Sequence, residues 1–171
     1  MPNLAVIEEL KRKKKGLEIL YIGEVKSIEK KLAQNAGIKF KGIHCGKLRR
    51  YFSLKNFSDP FKVVIGSFQA YKILKKFKPQ LVFSKGGFVS VPVALAARLL
   101  AVPVILHESD AVPGLANKLL FRFAEKICLS FEESKKYLKK YEKKIVVTGN
   151  PVRKWISSGD SAAGYRFTGL D

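Results

Sequence analysis

With 171 residues, 47% of them hydrophobic, the chain holds enough apolar material for one domain with a real core and is no disordered tail. Its 33 Lys and Arg against 14 Asp and Glu leave a net charge of +19, which points to an anionic partner such as nucleic acid, anionic lipid or a phosphorylated substrate without choosing among them. Cys45 and Cys128 are far apart and lack metal-ligand or CxxC spacing, no apolar run approaches the ~20 residues of a membrane span, and no signal peptide opens the chain, so reduced thiols in the cytosol are expected.

In chain order, the pattern opens with an amphipathic helix over 3–14, carrying Leu4, Ile7 and Leu10 on one face. A strand from Leu17 to Ile22, a helix over 25–35 and a strand from Ile38 to Ile43 follow. A helix over 57–77 precedes the strand Leu81 to Ser84, a helix over 90–100 and the strand Val102 to Leu106. Next come a helix over 114–123, with Pro113 at its entry, the strand Lys126 to Ser130, a helix over 132–140 and the strand Ile145 to Thr148. Ser130 and Glu133 read as a capping box for the 132–140 helix. Near-continuous apolar runs such as Val102 to Leu106 suit strands covered on both faces, so the class is α/β: a Rossmann-like parallel sheet with helices on both faces. Residues 1–153 form that domain, and the Ser- and Gly-containing stretch 154–171 reads as a linker or ragged end. Opening in a helix is unusual, because the first strand of a doubly wound domain normally lies in mid-sheet.

Between Lys47 and Lys78, nine Lys or Arg face a single acid, Asp59. Phe57, Phe61, Val64, Ile65 and Phe68 share one helix face, a stripe that reads first as core and second as a membrane anchor. The second reading gains from Tyr51, Phe52 and Leu54 set among Arg49, Arg50 and Lys55, a mixture suited to the headgroup boundary of an anionic bilayer.

Three segments could meet a ligand. In Ser84-Lys85-Gly86-Gly87-Phe88 a strand runs through paired glycines into a helix, which either lets backbone approach a ligand or simply makes a tight turn. Glu108 and Asp110 follow a strand at the carboxyl edge, where open α/β sheets bind ligands. Either could take a sugar hydroxyl or a proton, or Asp110 could cap a turn while Glu108 is merely solvated. Arg153 after Gly149-Asn150-Pro151 could reach a phosphate or sit exposed at a boundary. With only His44 and His107 present, a catalytic histidine pair or zinc site is disfavoured, and no metal or cofactor is expected.

Taken together, residues 4–10, Tyr21-Ile22-Gly23, 37–50, SKGGFVSVP at 84–92, HESDAVPGLANK at 107–118 and GNPVR at 149–153 resemble, in order and spacing, the N-terminal domain of the MurG-type N-acetylglucosaminyltransferases. The resemblance spans about residues 2–153. It implies the N-terminal, acceptor-side half of a GT-B glycosyltransferase, lacking the usual first strand. It also implies transfer of N-acetylglucosamine from UDP-GlcNAc to lipid I, the undecaprenyl-pyrophosphoryl-MurNAc-pentapeptide of peptidoglycan synthesis, without a metal. Peripheral attachment to the inner face of the cell membrane goes with it. Carried over by motif, Gly86, Gly87 and Phe88 match the second glycine-rich loop, Glu108 and Asn117 match acceptor-cleft positions, and Arg153 matches the basic residue beside the interdomain linker. Asp110 stands where many members have Asn.

Against that pattern, Met1 falls after the first strand and a GGTGGH-like loop whose histidine is a candidate base, and no donor domain follows residue 171. The expectations are a chain inactive alone, with Glu108 its remaining catalytic candidate, UDP-GlcNAc bound only with a donor domain, and a gap where the central strand would lie. A split enzyme with a separate donor-domain subunit is the alternative. A basic nucleic-acid-binding protein is the alternative of another class, disfavoured because the basic residues are spread through ordinary helices without a recognised module.

Overall fold

The computed structural model describes residues 2–46, 55–153, 156 and 160–169, side chains of 55–60 and 161–163 excepted. The helices are α1 (Pro2–Lys13), α2 (Ile28–Asn35), α3 (Lys55–Phe77), α4 (Ser90–Leu99), α5 (Leu115–Leu120) and α6 (Ser161–Thr168). The strands are β1 (Leu20–Glu24), β2 (Lys39–Ile43), β3 (Val82–Ser84), β4 (Val104–Glu108), β5 (Lys126–Leu129) and β6 (Ile145–Val147). All pairings are parallel, which requires a crossover between successive strands, and helices supply it.

The strands form two sheets: β1 pairs with β2, and β3, β4, β5 and β6 lie in that order. Among the described residues no hydrogen-bonded pairing joins the two sheets. Contacts divide the chain into two compact units, Ile19–Asn150 and the pair Met1–Glu18 with Pro151–Asp171. The larger unit holds all six strands. Its core joins Ile43, Ala70, Leu74, Ala94, Ala97, Leu106, Ile127 and Leu129, all nearly inaccessible. The smaller unit holds α1 and α6, with an ion pair between Arg153 and Glu8.

Three local expectations change. The stripe on α3 is not core: Phe61, Val64, Ile65 and Phe68 are 52–72% exposed. The helix instead buries Gly66, Ala70 and Leu74. The reason is steric, since a Cβ at Gly66 would lie 2.1 Å from the His44 carbonyl oxygen, so only the small-residue face fits that close against the chain after β2. The second change is that β4 runs to Glu108, so His107 and Glu108 are strand residues paired opposite Cys128 and Leu129 and do not follow the strand. The third concerns 132–140, which is two 3-10 segments, Glu132–Tyr137 and Lys139–Lys144, hinged at buried Leu138. The capping box does not form: the Ser130 hydroxyl is buried without a hydrogen-bond partner. Buried Ser134 holds the segment in place by donating to the carbonyls of Asp110 (3.3 Å) and Ala111 (3.1 Å).

Candidate functional site

The carboxyl ends of β3 and β4 meet the Gly86-Gly87 turn and the loop 109–114 around an open cavity of about 280 Å³. Its lining includes Lys85, Gly87, Phe88, Glu108, Asp110 and Asn117.

The first wall is the glycine turn. Gly86 and Gly87 have φ of +85° and +83°, a region that side chains with a Cβ rarely adopt. A Cβ on Gly86 would also sit 2.8 Å from the Asn117 amide, whereas nothing lies within 4 Å of the equivalent point on Gly87. Gly86 is therefore glycine for packing and conformation, and Gly87 for conformation with open space above it. Two buried serines pin the turn. Ser84 Oγ donates to Ser90 Oγ at 2.6 Å, Ser90 Oγ donates to the Gly86 carbonyl, and Gly86 N–H donates to Ser84 Oγ at 3.3 Å.

The second wall is organised by Glu108, which is 3% exposed. Its Oε1 accepts from the Asp110 N–H (3.0 Å), and its Oε2 accepts from the Gly114 N–H (3.0 Å) and from Asn117 Nδ2 (2.9 Å). Asn117 Nδ2 also donates to the His107 carbonyl at 3.3 Å. A buried carboxylate with this many donors is a scaffold for its loop: it holds Asp110 at the rim, where that residue is exposed, and fixes the start of α5.

Beneath the site, His107 packs against Phe83, and its Nε2–H donates to the Gly149 carbonyl at 3.0 Å. A carbonyl can only accept, so the ring is the Nε2–H tautomer, which leaves the buried Nδ1 without a partner. Burial pushes the His107 pKa below its usual value, outweighing the Gly149 hydrogen bond. One strand over, Lys85 Nζ donates to Asn150 Oδ1 at 2.9 Å. Burial lowers the Lys85 pKa, against the opposing pull of the Asp110 and Glu108 carboxylates.

Of the residues singled out from sequence, Gly87, Phe88, Glu108, Asp110 and Asn117 line one cavity, and Gly86 abuts Asn117 behind it. Arg153 belongs to the other unit, where its Nε donates to Glu8 Oε2 at 3.1 Å. Arg49, Arg50, Tyr51, Phe52 and Leu54 lie outside the described residues, as do the side chains of Lys55 and Phe57, while Phe61 is exposed on α3. Lys85 was passed over although it stands inside the glycine motif, because nothing in its spacing separates it from the other 32 cations. Among the described residues no cluster of His, Cys, Asp and Glu could hold a metal, both cysteines are free thiols, and no helix is long and apolar enough to cross a membrane.

Residues 1–129 match the glycosyltransferase family 28 N-terminal domain. A UDP-N-acetylglucosamine–N-acetylmuramyl-(pentapeptide) pyrophosphoryl-undecaprenol N-acetylglucosamine transferase of Clostridium botulinum is 54% identical over 99% of this chain and 47% of its own length. The transferase of that name from Lachnospira eligens is 55% identical over 95% of this chain and 45% of its own. The chain thus spans about half the length of these relatives. The crystal structure of Acinetobacter baumannii MurG superposes with a TM-score of 0.70 at 30% identity, covering 90% of this chain and 42% of that one. The UDP-GlcNAc 2-epimerase of Neisseria meningitidis shares the fold alone, with a TM-score of 0.62 at 17% identity over 87% of this chain and 43% of that one. Matched over three quarters of its length and carrying the expected glycine turn and polar loop on one sheet edge, the chain belongs to the glycosyltransferase family 28 N-terminal domain family.

Proposed function

We propose that this chain forms the acceptor-side half of an inverting N-acetylglucosaminyltransferase, with its cavity receiving the sugar of lipid I while UDP-GlcNAc is held by a donor domain. The observation that carries the reading is the convergence of the Gly86-Gly87 turn and the Glu108-organised loop on one open cavity at the carboxyl edge of the sheet. The names of relatives above 50% identity add to it.

In such a transfer an acceptor hydroxyl attacks the sugar carbon as UDP departs, so the acceptor must be oriented and its proton accepted. This half supplies orientation. The open space over Gly87 admits a sugar ring, Phe88 and Leu115 offer apolar surface, and exposed Asp110 is the rim carboxylate able to accept from a hydroxyl. Glu108 acts as a positioning residue, because its oxygens are already occupied by Asp110, Gly114 and Asn117.

Attachment to the inner face of the cell membrane goes with this reading, through Phe61, Val64, Ile65 and Phe68 on the exposed side of α3 and through the cations around it. Lys72 lies over the Phe68 ring at 4.4 Å, which places a cation at the edge of the stripe.

A photoreactive analogue of lipid I tests the acceptor reading. It should label peptides containing residues 84–92 or 107–118, and unlabelled acceptor should compete with it. Labelling confined to other peptides overturns the proposal.

A further inference from the structure

Apart from the cavity described above, we propose that a second one, at the carboxyl ends of β1 and β2, binds a phosphate ester of a small polyol through Lys26, His44 and Lys62.

This cavity measures about 200 Å³, and Glu24, Lys26, His44 and Lys62 line it together with buried Ile43 and Cys45. Three elements build it. β1 and β2 run parallel with Glu24 registered opposite Ile43, so both strands end at one level, on the edge where open parallel sheets take ligands. The third element is α3. A Cβ on Gly66 would lie 2.1 Å from the His44 carbonyl oxygen, so this glycine lets α3 lie close against the chain after β2 and brings Lys62, one turn earlier, to the cavity.

Gln69, also on α3, fixes the histidine. Its Oε1 accepts from the His44 backbone N–H at 2.8 Å, which turns the amide nitrogen to donate to Nδ1 at 3.0 Å, nearer than Oε1 at 3.3 Å. Nδ1 is thus an acceptor, and the neutral ring carries its proton on Nε2, a donor that no described residue takes up.

Two ammonium groups and this N–H stand against one carboxylate, and Glu24 forms no ion pair with either lysine. Lysines are compact point charges that suit phosphate oxygens, and Nε2–H can add a hydrogen bond. Glu24 repels a bare phosphate but accepts from a hydroxyl, so a phosphate that carries hydroxyl groups matches the whole set, and inorganic phosphate matches only part of it. Such a group could come free in solution or as a lipid headgroup. Lys62 shares its face of α3 with Gly66 and Gln69, beside the exposed stripe of Phe61, Ile65 and Phe68 and not on it, which favours the free ester.

The test titrates the chain with sn-glycerol 3-phosphate and with inorganic phosphate, following the amide resonances of Lys26, His44 and Cys45. Ionic strength is fixed, because a chain of +19 attracts any anion. The ester should shift these resonances saturably and bind more tightly than inorganic phosphate. Lys26→Met and Lys62→Met should each weaken it by about tenfold, the scale of one charge-assisted contact, while Lys140→Met, at another exposed lysine, should leave it unchanged. Glu24→Ala should tighten inorganic phosphate and remove the advantage of the ester. Native-like amide spectra check that each variant folds. Phosphatidylglycerol vesicles should not displace the ester; displacement with loss of the same shifts would overturn the free source and assign the site to a headgroup.

Equal effects of the three lysine variants, inorganic phosphate bound as tightly as the ester, or shifts confined to Gly86 and Asn117 overturn the proposal. The two cavities share no lining residue, so its failure leaves the acceptor reading standing.

Discussion

At the scale of single residues, the site depends on buried polar groups, of which Glu108 takes all its partners from residues 110–117. Replacing Glu108 by Gln keeps the shape but puts an N–H₂ group against the N–H of Asp110 or Gly114. The loss of a hydrogen bond to a charged acceptor and the opposed donors should destabilise the fold by about 1–3 kcal/mol in chemical denaturation. An unchanged midpoint would mean that the carboxylate does not scaffold its loop. His107 gives a prediction in pH. Its pKa is near 6.5 in the unfolded chain and lower in the folded one, so above about pH 6.5 neither state holds a proton there. As the pH falls below that value, the unfolded chain takes up a proton that the buried ring resists, and stability is lost. His107→Gln, which keeps a donor for Gly149 without titrating, should flatten the fall in stability between about pH 7 and 5 relative to the parent. Parallel pH profiles for the two proteins would contradict this. Which residues gather at the site was legible from the placement of Gly86, Gly87 and Asp110 after parallel strands and of Glu108 near the carboxyl end of one. That Glu108 faces inward was not, because its partners, the Asp110 and Gly114 N–H groups and the Asn117 amide, are positioned by where β4 ends and α5 begins.

Elements show a similar division. The six strands were legible as short β-branched runs, with ends shifted by up to three residues, as at β1, read from Leu17 and found from Leu20. Of the two readings of the α3 stripe, the one as core fails, since Phe61, Val64, Ile65 and Phe68 are exposed together. Periodicity identifies a face but does not say which face packs, and here Gly66 and Ala70 decide it by permitting a closer approach than phenylalanine does. The 132–144 segment misled for a related reason: Ser130 and Glu133 have capping-box spacing, but the chain turns in 3-10 steps around Leu138. For α3 the expected behaviour is testable. Phe61→Ser with Phe68→Ser should leave thermal stability nearly unchanged, since both side chains are more than half exposed, and should sharply reduce binding to anionic vesicles. Full vesicle binding by the double variant would remove α3 from the membrane surface.

At the scale of the whole molecule, charge and topology set the terms. If α3 meets an anionic bilayer as proposed, the charge of +19 should contribute about 1 kcal/mol for each basic residue near the surface, a contribution that raising the salt weakens while that of Phe61 and Phe68 persists. The parallel pairing of the strands was legible from the alternation of elements, and its division into two sheets was not. The central claim is that the carboxyl edge of this unit is an acceptor site and not a nucleotide-sugar site. The most direct test is amide shift mapping with a short-chain lipid I analogue and, separately, with UDP-GlcNAc. The account predicts saturable shifts at Gly86, Gly87, Asp110 and Asn117 with the lipid I analogue and none there with UDP-GlcNAc; saturable shifts at those residues with UDP-GlcNAc, or none with the analogue, would contradict it.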